Sequence, residues 1–157
     1  MILEIGTGKG KRSKFQDFDN FVHVDIDKSA QHLEVQCDAL SLPFRPKIFN
    51  ETYPAHVMEH LENTVLFLSE IKRVTRYRLI IKVPNASFYK FMSSDKTHIF
   101  SWNQFTLKNL LDKYFGHVVI RFTKRNSISN KFLRFCYNFT CLVFQNNELT
   151  AYVEIGQ

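Results

Sequence analysis

The sequence predicts an α/β domain built on a mostly parallel seven-stranded sheet with an antiparallel last strand. Three observations predict it. The apolar run of Ile2, Leu3 and Ile5 ends in glycines at Gly6, Gly8 and Gly10. A second short run, FVHVDID, ends in Asp25 and Asp27. Strand-like and helix-like apolar patterns then alternate along the chain. Sheets of this kind hold a ligand outside the carboxyl ends of their strands. There, glycines let the backbone approach closely and an acid can take sugar hydroxyls.

Size and charge bound the answer. A chain of 157 residues with 45% hydrophobic content reads as one domain over 1–157 with a real core. No apolar run approaches the ~20 residues that span a bilayer, and no basic-then-apolar leader is seen. Cys37, Cys136 and Cys141 are odd in number and lack a C-x-x-C pair, so a reducing, cytoplasmic setting is expected and no zinc spacing is present. The net charge is +6, with basic clusters at Lys9, Lys11, Arg12 and Lys14 and at Arg121, Lys124, Arg125, Lys131 and Arg134. Such clusters fit a nucleic-acid partner or a solvated face.

The elements follow in order. The first strand covers Ile2–Ile5, with Glu4 inside it, where a carboxylate needs a donor or cation. The loop reads E-x-G-x-G-x-G from Glu4 to Gly10. It is not the dinucleotide G-x-G-x-x-G, because Lys11 takes the last glycine position. Lys11 to Asn20 is short and polar and reads as a loop or single turn. The second strand runs Phe21–Ile26. Asp25 beyond it is placed for a ribose, or forms a turn with Asp27 before Lys28 and Ser29. Leu33 and Val35 give a third strand ending at Asp38, Ala39 and Leu40, where Asp38 either meets a base or closes a turn before Pro43.

Ile48–Pro54 reads as a fourth strand. Val57, Leu61, Val65, Leu68 and Ile71 form one stripe, predicting a helix that ends near Tyr77. Leu79–Val83 is a fifth strand, stopped by Pro84 and Asn85. An aromatic stretch follows, with Phe88, Tyr89, Phe91, Met92, His98, Phe100 and Trp102, fit to shape a pocket or to pack under a loop. Asn103 caps a helix whose apolar face is Leu107, Leu110, Leu111 and Tyr114, and Gly116 ends it. Val118–Thr123 is a sixth strand, and Ile128–Phe139 a short helix or loop. CLVFQ and TAYVEI, joined by Asn146 and Asn147, read as a hairpin whose last strand lies at the sheet edge.

Taken together, E-x-G-x-G-x-G, the "VDI" strand, D-A-L-S-L-P-F and H-V-M-E-H resemble the class I S-adenosylmethionine-dependent methyltransferases of the small-metabolite, type 11 kind. The resemblance implies a Rossmann-like three-layer sandwich with S-adenosylmethionine as cofactor. It implies that Glu4, Gly6, Thr7 and Gly8 form the cofactor loop and that Asp25 and Ile26 serve the ribose. Asp38 and Ala39 would serve the adenine, with His56 near the methionine moiety. Glu59 and His60 would face the acceptor, His60 as a base and Glu59 orienting it. A small-molecule or lipid-like acceptor is the leading expectation. RNA or protein, on the strength of the basic clusters, and a cofactor module without catalysis are the alternatives.

Departures from the family pattern matter too. Thr75 to Arg78 stand where relatives place a Pro-Gly-Gly turn, and the helix after the glycine loop is nearly gone. With no helices ahead of the first strand to lid the pocket, a large acceptor, a partner subunit or a homodimer is expected to cover the site. No N-P-P-Y motif follows the fourth strand, so methylation of base amino groups loses support. His56, Glu59 and His60 also spell H-x-x-E-H, the letters of inverted zinc peptidases. That reading lacks a third ligand and a supporting fold, and no metal is expected.

Overall fold

The computed structural model describes residues 1–8, 20–30, 32–87, 95–123 and 148–155. Seven strands form one sheet: β1 Ile2–Ile5, β2 Phe21–Asp25, β3 Val35–Gln36, β4 Phe49–Pro54, β5 Thr75–Pro84, β6 Val118–Thr123 and β7 Glu148–Glu154. Their order is β3-β2-β1-β4-β5-β7-β6. β1 pairs in parallel with both β2 and β4, so the chain builds outward on one side of β1 and then returns to its other side. That reversal leaves a crevice beyond the carboxyl ends of β1 and β4, the place where open α/β sheets bind ligands.

Among the described residues, two α-helices pack on the sheet. α1 (Thr64–Val74) buries Phe67, Leu68, Ile71 and Val74, and α2 (Gln104–Phe115) buries Leu107 and Leu111. The α2 cap is the one expected: Asn103 Oδ1 accepts from the Phe105 and Thr106 amides, and Thr106 Oγ1 accepts from the Asn103 amide in return. The core is continuous, from Leu3 and Ile5 through Leu79, Ile81 and Val83 to Leu149, Ala151 and Val153. No helix among the described residues is long and apolar enough to cross a membrane.

Three expectations are corrected. The single helix predicted from Val57 to Tyr77 is a 3-10 turn at Met58–His60 followed, after a break, by α1. Asn63 restarts the helix by accepting from the Leu66 amide, and this rephases the stripe so that Val65 faces outward at 49% exposure. The helix stops at Val74 and β5 begins at once with Thr75, four residues earlier than expected. Third, the last strand is not at the edge. β7 is antiparallel to β5 on one side and β6 on the other, along nearly its whole length. Both its edges are paired; the hairpin expected with CLVFQ rests on residues outside those described. That run, the Ile128–Phe139 segment, Cys136 and Cys141, Gly10, Phe88 to Met92 and most of the basic clusters lie outside the described residues.

Candidate functional site

At the end of β1 the chain turns at Gly6, whose φ of +83° lies in the left-handed region. A Cβ there would fall 2.3 Å from Val57 Cγ2 and 3.2 Å from the Ala55 carbonyl. The loop therefore lies directly against the end of β4. Thr7 follows, and its hydroxyl is buried with no hydrogen-bond partner among the described residues. Gly8, with φ +61°, points its amide at the carboxylate of Asp25, 2.8 Å from Oδ2.

Asp25 ends β2 and is half-buried. Its other oxygen accepts from the Asp27 amide at 2.9 Å, so it forms a turn and braces the glycine loop at once. Each oxygen retains acceptor capacity for a further donor. Asp27 is the turn former: its Oδ1 takes both the amide and hydroxyl of Ser29. Ile26 follows β2 and is 67% exposed, although apolar. Asp38 lies beyond β3 and is exposed, its Oδ1 accepting from the Leu40 amide while Ala39 is buried. The Cys37 thiol sits between these two acids. Burial first, then the Asp38 and Asp25 charges, push its pKa up from 9.0.

Glu4 is placed differently from the loop it precedes. It is buried in the sheet at 5% exposure, with Oε2 2.7 Å from His23 Nδ1 on the neighbouring strand. The donor that its place in an apolar run demanded is therefore His23.

The second half of the site lies past β4. His56 takes a left-handed φ of 56°, and its amide donates to the Lys82 carbonyl. Its Nε2 lies 3.2 Å from Glu148 Oε1 on β7, and its Nδ1 lies 3.3 Å from Glu59 Oε1. Burial would lower the His56 pKa, but the Glu148 and Glu59 carboxylates outweigh it and raise it to about 9. His56 is thus an imidazolium at neutral pH. Lys82 Nζ, 4.0 Å from Glu148 Oε2, adds a second cation.

Glu59 is 1% exposed, and neither of its oxygens receives an aligned hydrogen bond among the described residues. His60 lies edge-on to His98, ring centroids 4.8 Å apart. The Glu59 carbonyl accepts from the Ile99 and Phe100 amides, which pins residues 98–100 over the 3-10 turn. A crevice here is lined by Glu59, Pro84, Asn85, His98, Phe100 and Trp102.

The structure therefore joins Gly8 to Asp25 directly, with Gly6 bonded to Val24 behind them, and brings Glu59 together with His56 and His60. It does not join Glu4 to the Asp25 carboxylate. Sequence reasoning missed Glu148, Lys82 and the pairing of His98 with His60. A charged residue opening the apolar run ELTAYV was the only signal for Glu148.

Residues 3–78 match the family model described as a methyltransferase domain. Among solved structures, the chain is similar to a SAM-dependent methyltransferase from Archaeoglobus fulgidus: 24% identity, 98% of this chain and 85% of that one, TM-score 0.70. It is similar to one chain of a complex containing the Haloferax volcanii Trm112 methyltransferase activator: 11% identity, 99% and 82% coverage, TM-score 0.76. It is also similar to Haemonchus contortus phosphoethanolamine N-methyltransferase 2 in complex with S-adenosyl-L-methionine: 15% identity, TM-score 0.68, covering 99% of this chain but 48% of that one. At these identities the likeness is one of fold. A search of curated proteins finds no match.

Proposed function

We propose that the chain, whose residues 3–78 match the methyltransferase-domain family model, transfers a methyl group from S-adenosylmethionine to a small-molecule or lipid-like acceptor. The observation that carries this reading is the clamp of Gly8 on Asp25 at the point where strand order reverses. The residues there fit the cofactor. Gly6 and Gly8 put no side chain at two positions of the loop, and the buried Thr7 hydroxyl has no partner among the described residues, one that a bound polar group would supply.

In this reading Asp25 accepts from the ribose hydroxyls and Ile26 gives apolar cover beside them. Asp38 and Ala39 meet the adenine. Glu4 holds the strand behind the loop through His23, and His56 faces the methionine end. The bound sulfonium supplies both the methyl group and its leaving group, so the chain's own task is to bind, align and exclude water. On the acceptor side stand Glu59 and His60. His60 Nδ1 is tied to Thr97, which leaves Nε2 as the ring atom able to reach an acceptor. The apolar faces of Phe100, Trp102 and Pro84 support an acceptor with an apolar body. The expected cysteine chemistry supports a cytoplasmic setting. The activator-containing complex among the similar structures supports a partner subunit as a further component.

Calorimetry with S-adenosylmethionine and S-adenosylhomocysteine tests the reading on wild type and Asp25→Ala. Saturable binding by wild type, weakened ~10-fold or more in the variant, is expected from the loss of charge-assisted hydrogen bonds. Absence of binding by wild type overturns it. RNA binding that weakens steeply with salt would move the acceptor class to nucleic acid.

A further inference from the structure

We propose that Glu59, His60 and His98 form a binding site for one divalent first-row transition ion of the zinc or cobalt kind. One ligand atom from each of the three lies within 4.8 Å of the other two. Donors around such an ion, at bonds of about 2.0–2.2 Å, sit about 3.4 Å apart, so modest rotations of the two rings and the carboxylate close the set. The Glu59 carboxylate is what points to a ligand. It is 1% exposed and receives no aligned hydrogen bond among the described residues, His56 Nδ1 lying off-axis 3.3 Å from Oε1. A desolvated carboxylate in that state gains from a cation in the crevice it faces.

The hydrogen bonds around His60 fix which nitrogen is offered. Thr97 Oγ1 donates to Asp95 Oδ1 at 2.6 Å, so toward His60 it acts as an acceptor. The Thr97 carbonyl is an acceptor by nature. His60 Nδ1, 3.0 and 3.3 Å from these two oxygens, must carry the hydrogen, so in the neutral ring it is Nε2 that offers the lone pair. A ring N–H held by a backbone carbonyl is how metal-ligating histidines are oriented. The Glu59 carbonyl, through the Ile99 and Phe100 amides, keeps His98 opposite His60. Two imidazoles and one carboxylate favour zinc, cobalt or iron over magnesium or calcium, and they leave coordination positions open toward the crevice.

This is not the H-x-x-E-H arrangement that the sequence spells. His56 lies outside the set: its Nε2 is bonded to Glu148 Oε1 at 3.2 Å, and its Nδ1 only approaches the Glu59 carboxylate off-axis. The third ligand comes instead from His98, 38 positions beyond His60 on the pinned segment. The proposal needs only these three side chains, so it does not depend on the methyl-transfer reading, in which Glu59 and His60 face the acceptor.

The test is titration of the full chain, stripped with chelator, with Co2+ followed by its visible absorption, and with Zn2+ in competition. One equivalent is expected to bind, Zn2+ displacing Co2+ and excess Mg2+ failing to. His98→Ala and Glu59→Gln are each expected to weaken binding at least ~10-fold, while His32→Ala and His117→Ala leave it unchanged. Far-UV circular dichroism checks that each variant folds. Should Glu59→Gln not fold, His98→Ala decides alone, because His98 sits outside the helices and strands. Failure to bind an equivalent, or affinity unchanged in His98→Ala, overturns the site. Loss of cofactor binding with intact Co2+ binding would sink the methyl-transfer reading only.

Discussion

Asp25 and Glu59 are carboxylates just beyond strands of one sheet, and their surroundings differ in every respect. Asp25 is half-exposed and takes backbone amides from Gly8 and Asp27. Glu59 is fully buried, near the His56, His60 and His98 imidazoles and with no aligned donor among the described residues. The first is held by local turn geometry and stays hydrated, so it can exchange water for a ligand's hydroxyls at little cost. The second has lost its water already, so its charge must be answered by whatever occupies the crevice. One half of the site is preformed and the other is electrostatically loaded.

Substitutions can break that contrast or sharpen it. Gly6→Ala should have the largest effect. The new Cβ collides with Val57, and φ +83° disfavours any side chain, so a loss of about 3 kcal/mol is expected in urea unfolding. An unchanged midpoint would mean that the loop is not pressed against β4. Glu148→Gln comes next. It keeps the shape but removes the charge answering His56 and Lys82, and should cost about 2 kcal/mol, discounted from a buried pair because His56 is 31% exposed. A neutral result would mean that the second half is not electrostatically loaded. Asp25→Ala, by contrast, should change stability by no more than about 1 kcal/mol while binding falls, since water can replace it at the amides. A large stability loss there would erase the distinction between the two acids.

The smallest effect concerns the clip behind Asp38. Arg73 donates to the Leu42 and Phe44 carbonyls and pairs with Glu70, which takes the Leu42 amide. Arg73 hydrogen bonding holds the Glu70 pKa below its usual 4.5 against the opposing effect of burial. A lowered folded-state pKa gives stability that is present above pH ~4.5 and fades as pH falls through the folded value. Arg73→Ala should therefore lower stability by about 1 kcal/mol at pH 7, and the gap to wild type should narrow below pH 4. A gap independent of pH would assign the clip to the carbonyl contacts alone.

The same contrast explains what could be read from the sequence. The glycine loop and Asp25 were legible because their contacts span 17 residues and follow from strand–turn spacing. The capped helix α2 was legible because its signals are adjacent. The break at Leu61 to Asn63 was written in the sequence as a helix-cap residue, but the apolar stripe running through Leu61 masked it. The place of β7 was not legible at all. Its apolar pattern fits an edge or an interior strand equally, and only pairing on both sides decides. Glu148 came with that error, since its bond to His56 crosses 92 residues. Residues 98–100 are in the same position: the Glu59 carbonyl that accepts from Ile99 and Phe100 lies about 40 residues upstream.

The interior position of β7 bears on synthesis. β5 and β6 emerge from the ribosome before residues 148–154, and until those arrive each presents a row of open backbone donors and acceptors. A nascent chain in that window is a template for sticking to its neighbours, and a strand peptide or chaperone that covers β5 would shield it. The latecomer also brings Glu148, so His56 acquires its second carboxylate only when the sheet is closed. A half-made copy would be sticky and would lack the His56–Glu148 pair.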